Sequence, residues 1–287
     1  MLASFLLTQS PRPFSIDLLR ALPATLILGA LTVALFIGRR TNRSRLEAGA
    51  AAFLLMTLFT LLGVVLAYAF AAHAGPLWDA RLAMMDRRIG FDWPFLLTAL
   101  DRHPILIWLL GLAYHSLTLQ MIVVIVALSG AARFDVLRIM VCAAILSGFV
   151  TILISAWVPA MGNLFDPAGY RHLWPSIAWL ERDLIQGLRD GSVRVLDLTM
   201  LMGIVSFPSF HATLAAIFIW TLKAVPRLTW AGRIWAVLTI LATPVFGGHY
   251  GVDVIMGLLL APPAILIARS ITRRTSRPGV ATPLAAA

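Results

Sequence analysis

Charge is scarce in this chain. Only 13% of its 287 residues are Asp, Glu, Lys or Arg, while 60% are hydrophobic. Soluble globular domains carry about twice that share of charge, so a water-soluble fold is excluded. Cysteine is nearly absent. Cys142 stands alone, no intrachain disulfide can form, and packing must hold the fold. Lysine is also single, at Lys223. No Walker-type loop, no H-E-x-x-H and no cysteine set occurs, so neither a P-loop nor a zinc site is expected, and no cofactor is called for. No internal repeat stands out. The start, Met1-Leu2-Ala3-Ser4-Phe5, lacks a basic segment and a following small-residue cleavage site, so a cleavable signal peptide is not expected.

What is present is a series of long apolar runs. Seven are long enough to be read as bilayer spans, at roughly 21–38, 48–73, 104–130, 136–161, 207–224, 230–244 and 249–268. The sixth is short for a span. The net charge of +10 suggests nucleic acid until its distribution is considered. With the connections assigned alternately to two sides, one side holds 13 positive charges against two acids, Glu47 and Asp135. The other side holds 10 positives and 11 acids. That is the positive-inside asymmetry of an inserted protein rather than a nucleic-acid patch. It predicts an inner (plasma) membrane protein with its N-terminus outside, facing the periplasm or exterior, and its C-terminus cytoplasmic.

Two connections on the predicted outer side are elaborated. In 74–103, Leu77, Leu82, Met85 and Ile89 recur at helical spacing, with Asp79, Arg81, Asp86, Arg87 and Arg88 between them and Gly90 as a C-cap. In 162–206, Ile177, Leu180, Leu184 and Leu188 form a second stripe with Glu181, Arg182 and Asp183 beside it. Both predict amphipathic helices at the membrane interface. A connection as long as the second is usually functional, as a lid or a lipid cradle.

The chemistry concentrates in two stretches, Ser206-Phe207-Pro208-Ser209-Phe210-His211-Ala212 and Gly247-Gly248-His249-Tyr250-Gly251-Val252-Asp253. Each opens an apolar run. His249 and Asp253 are four apart and share a helix face. A carboxylate there can take the proton of one ring nitrogen and leave the other as base or nucleophile; a structural His–Asp pair satisfies the same spacing. His211 falls in the first turn of the fifth run, after Pro208 and a serine cap at Ser206 or Ser209. There it can act as a general acid, or bond a loop carbonyl. The fifth and seventh runs enter from the same side, so both helix starts would offer unpaired N–H groups to an anion. Two histidines, a serine and two helix ends on one face point to phosphate.

Pro-Ser-x-His followed 38 residues later by His-x-x-x-Asp resembles the type-2 phosphatidic acid phosphatase superfamily. The spellings Phe-Pro-Ser-x-His-Ala and Gly-His-Tyr-x-x-Asp resemble its inositol phosphorylceramide synthase branch. The likeness extends over roughly 75–265. It implies a six-helix core, with His249 as the nucleophile of a phosphohistidine intermediate, Asp253 orienting it, His211 protonating the leaving alcohol and Ser209 binding a phosphate oxygen. Three departures stand out. Phe210 replaces the usual glycine, Thr243 stands where an arginine is usual, and Ile89 follows Arg88 in place of proline. Arg81 and Arg88 keep the spacing of the first motif's lysine and arginine. Arg88, then Arg87 and Arg81, are the candidate phosphate-binding cations, ahead of Arg171 and Arg182; lipid-headgroup contact explains them equally.

Polar residues inside the third run, His115, Tyr114 and Gln120, are candidates for lining the substrate site, with interhelical hydrogen bonding as the alternative. The expectation is therefore an all-α integral membrane protein of six to seven spans. Residues 1–47 carry an N-terminal segment and an extra span, 48–270 the phosphatase or phosphotransferase domain, and 271–287 a disordered cytoplasmic tail. The expected function is metal-independent phosphoryl transfer on a lipid phosphate or phospholipid headgroup. The alternative is a lipid-phosphate binding or transport protein that keeps the fold without catalysis.

Overall fold

Residues 14–275 are described by a computed structural model. Every apolar run forms helix, because a bilayer offers no water to the backbone and each segment must satisfy its own N–H and C=O groups. In order they are α1 (Leu18–Arg40), α2 (Ser44–His73), α3 (Asp79–Arg88), α4 (Trp93–Asp101), α5 (Pro104–His115), α6 (Leu117–Gly130), α7 (Phe134–Trp157), α8 (Ile177–Asp190), α9 (Phe210–Thr221), α10 (Thr229–Phe246) and α11 (Gly251–Thr275). Among the described residues the only strand pairing is parallel, β1 (Ser15–Ile16) with β2 (Val195–Leu196). Arg20, in the first turn of α1, pairs with Asp197. Together these contacts tie the start of the described chain to the long connection between α7 and α9.

Among the described residues five helices are long and apolar enough to cross a membrane, or six if the bent pair α4–α5 counts as one span. The chain is thus an all-α integral membrane protein. The run 104–130 divides at Ser116 into α5 and α6, although the hydrogen-bond ladder passes through, from Ser116 N–H to Leu112 and from Gln120 N–H to Ser116. With the 3₁₀ turn that extends it, α9 covers only Phe210–Ala224. At 1.5 Å per residue this is about 22 Å, short of the ~30 Å hydrocarbon core. The bundle core joins α2, α6, α7, α9 and α11 through Met56, Phe59, Val124, Leu128, Met140 and Phe218. By contrast α1 lies along α2 with most of its apolar surface outward, as a lipid-facing helix does.

Both amphipathic helices form, and each turns part of its apolar stripe and an acid inward. On α3, Leu82 and Asp86 are buried while Met85 and Ile89 are exposed. On α8, Ala178, Glu181, Ile185 and Leu188 are buried and Leu180 is 65% exposed. In water an apolar stripe must turn to the protein. At a membrane interface it can turn to lipid, and the acidic side is then free to face the bundle. Gly90 does close α3, with a positive φ of 89°. The last helix continues to Thr275, five residues into the segment expected to be tail; residues 276–287 lie outside the described residues.

Candidate active site

The two motifs meet because α9 and α11 run parallel and in contact at their starts. The Ser209 N–H donates to the Asp253 carbonyl at 3.0 Å. One turn further, Thr213 Oγ1 donates to the Gly257 carbonyl at 2.8 Å. A side chain at position 257 would collide with the Ser209 carbonyl, so glycine permits the close approach. Ser209 is the N-cap of α9, its Oγ accepting the Ala212 N–H at 3.3 Å. The other half of the site follows α10. Gly248 turns the chain with φ +68°, a conformation that disfavours any side chain, and delivers His249 under the bundle's end.

His249 is buried. Its Nδ1 lies 2.9 Å from the Ser206 carbonyl and 3.4 Å from Asp253 Oδ2. A carbonyl only accepts, so Nδ1 carries the proton and Nε2 presents its lone pair. That lone pair points toward Ser209 Oγ, 3.5 Å away. Asp253 has no exposed surface, and its Oδ2 accepts from Ser206 Oγ at 2.8 Å and from the Tyr250 N–H at 2.9 Å. The expected His–Asp pairing is present, but the nearer partner of Nδ1 is the Ser206 carbonyl. Asp253 stands behind both, holding Ser206 and the backbone before α11. The His211 ring stacks on Tyr114 at 4.5 Å between centroids, and its centroid is 6.4 Å from that of His249.

One expectation about the helix ends fails. The start of α11 is not open to an anion, because Asp86 of α3 occupies it. Asp86 accepts from Gly251 N–H at 2.8 Å, Val252 N–H at 2.9 Å and Trp93 Nε1 at 2.7 Å, with no exposed surface. Asp79, two turns earlier on α3, accepts from the Met161 and Gly162 N–H groups and from the Tyr250 hydroxyl. Burial, with Asp79 beside it, holds the Tyr250 phenol well above its ordinary range, which keeps it a neutral donor. At the start of α9, by contrast, the N–H groups of Phe210 and His211 have no acceptor among the described residues.

The structure brings His249, Asp253, His211, Ser209 and Tyr114 together. Arg81, Arg87 and Arg88 are exposed. At 100° per residue, Arg81 and Arg88 fall on the face of α3 opposite Asp79 and Asp86, and Arg81 stacks over Trp78. Thr243 is fully buried with its hydroxyl on the Thr239 carbonyl, so no cation occupies that place. Gln120 spends its amide on Ala113, Ser116 and Thr239, which joins α5, α6 and α10; it does not line the cavity described next.

A cavity of about 440 Å³ opens beside His211. Its walls come from α2, α5, α6, α7, α8, residues 201–205 and α9, and are mainly apolar. The polar groups include His211, Tyr114, His115 and Glu181, and among the described residues no arginine or lysine lines it. Burial pushes the Glu181 carboxyl up to about 8. Sequence reading passed over Asp79, Asp86 and Glu181. The available signal was the seven-residue spacing of Asp79 and Asp86, which puts both on one face of α3, and the four-residue spacing of Glu181 and Ile185 on α8.

No curated protein and no solved structure matches the chain. A family model described as the PAP2 superfamily matches residues 80–267, which contain both motifs and the cavity's polar groups. This span is more than half of the chain, and membership supports a phosphatase-type phosphoryl-transfer function in general. The chain belongs to the PAP2 superfamily.

Proposed function

We propose that the protein is a membrane phosphoryl-transfer enzyme acting on a lipid phosphate or phospholipid headgroup through a phosphohistidine. The observation that carries this reading is the 2.9 Å contact between His249 Nδ1 and the Ser206 carbonyl. With Nδ1–H on the Ser206 carbonyl, Nε2 is a nucleophile in waiting. Its lone pair attacks phosphorus and forms a P–N bond. The P–O bond to the lipid alcohol breaks, and His211, protonated when the phosphate is bound, gives its proton to that oxygen. Water or an alcohol then attacks phosphorus, gives its proton to His211, and displaces Nε2. Asp253 stabilises the positive ring of the intermediate. Ser209 and the free N–H groups at the start of α9 take the phosphate oxygens. Nothing in this sequence of steps calls for a metal.

Since Asp86 closes the other helix end, the transition-state charge falls to α9 and His211. Arg88, Arg87 and Arg81 are assigned to anionic headgroups at the membrane surface. The positive-inside asymmetry supports a site facing the periplasm or exterior. Motif spelling favours the inositol phosphorylceramide synthase-like branch, with an alcohol as acceptor. The lack of arginine or lysine around the cavity favours the second reading, a lipid-phosphate binding protein that does not catalyse. Phosphate release from a panel of lipid phosphates with EDTA present, beside His249→Ala, separates them. Release that vanishes in the variant, with ³²P trapped as acid-labile phosphohistidine, supports the enzyme. Equal phosphate binding by both proteins without turnover, with or without added alcohols, supports the binder.

A further inference from the structure

Among the described residues Glu181 is the one acid on the cavity wall, and it is used by nothing described above. It is nine-tenths buried. No hydrogen bond or ion pair reaches its carboxyl among the described residues, and its neighbour Arg182 pairs with Asp183 instead. Thr151, on the cavity wall formed by α7, likewise has a buried hydroxyl without a partner. Two unpartnered polar groups on a mainly apolar wall are costly unless a ligand meets them. The ligand is not an anion, since no arginine or lysine lines the space. A buried carboxylic acid without a cation stays neutral, and then both donates and accepts. A hydroxyl has the same double capacity. The remaining walls, among them Met56, Phe59, Val64, Ile152 and Leu201, suit hydrocarbon.

We propose that this cavity is the subsite for a neutral long-chain alcohol, whose hydroxyl is hydrogen-bonded by Glu181 and held beside His211. This deepens the phosphoryl-transfer reading and rests on it for its role: the alcohol is the group that leaves lipid phosphate in the first step or accepts phosphoryl in the second. On acceptance the alcohol O–H bond breaks, its proton goes to His211, the new O–P bond forms and the P–Nε2 bond breaks. Glu181 keeps its own proton and only orients the oxygen.

The test is equilibrium binding of tritiated hexadecanol to the purified full-length protein in detergent, so that turnover is not needed. Wild type is expected to bind saturably, with hexadecyl phosphate, whose chain fills the same cavity, as a competitor. Glu181→Leu is expected to weaken binding about tenfold, the scale of one lost hydrogen bond to a buried group. Glu181→Gln keeps donor and acceptor and is expected to stay within about threefold. Val64→Trp, which fills the cavity, is expected to abolish binding. Monodisperse elution of each variant separates lost binding from lost folding. Saturable binding that survives both Glu181→Leu and Val64→Trp, or no saturable binding at all, overturns the proposal. Binding that depends on both residues in a protein without phosphoryl-transfer activity keeps the alcohol site and refutes the enzyme reading alone.

Discussion

Replacing Glu181 by glutamine should make the protein more stable, and increasingly so as pH rises. Burial lifts this carboxyl from 4.5 to about 8 in the folded state. The folded protein therefore binds more protons than the unfolded chain between those two values, and stability falls as pH rises through that window. The loss begins above pH 4.5 and is complete above pH 8. At ~1.36 kcal/mol per pH unit the full effect is about 5 kcal/mol. Glutamine keeps the shape and removes the ionisation. The two proteins should match near pH 4, and the variant should gain by about 2–4 °C per kcal/mol at pH 8, so by more than 10 °C in all. His115, His211 and Tyr114 share the cavity wall and are common to both proteins, so the difference between the two profiles isolates Glu181. The assay is thermal unfolding in one detergent from pH 4 to 9. A variant whose Tm tracks wild type across that range would refute the burial argument, and with it the claim that Glu181 faces the cavity as a neutral acid.

Other expectations follow from the same geometry. His249→Ala should lower phosphate release by about 10⁴-fold or more, as removal of a covalent nucleophile does, with no acid-labile ³²P left on the protein. Asp86→Ala leaves two N–H donors at the start of α11 and the Trp93 indole N–H unpaired and should cost about 3–5 kcal/mol, read as a lower midpoint in thermal unfolding, with Asp86→Asn between it and wild type. Gln120→Leu should cost about 0.6–1.7 kcal/mol, the range of interhelical hydrogen bonds in membranes; a large rise in KM instead would return Gln120 to the substrate site. With Cys142 replaced by alanine, Ser192→Cys should react with a membrane-impermeant maleimide in intact cells and Arg227→Cys should not, and the reverse labelling would invert the orientation.

The sequence alone determined the solvent of this protein. Its apolar runs and sparse charge admit only a helical membrane fold, since a bilayer leaves the backbone no other way to pair. The two histidine motifs were legible for a related reason: an ionisable group at the start of an apolar run is costly, so the few that occur there stand out. Tertiary structure alone decided which face of each interfacial helix turns inward. The stripe Ile177, Leu180, Leu184 and Leu188 does not say which of its members turn outward; the packed bundle leaves Leu180 exposed, sets the other three against the core, and turns Glu181 and Asp86 inside. It also decided the fate of the second helix end. Spacing predicts His249 and Asp253 on one helix face, whereas His249 lies two residues before α11, and that Asp86, 165 residues before Gly251, already fills the start of that helix is a long-range contact with no local signature. The same holds for His249, whose nearest partner is the Ser206 carbonyl, a backbone atom that no residue pattern records.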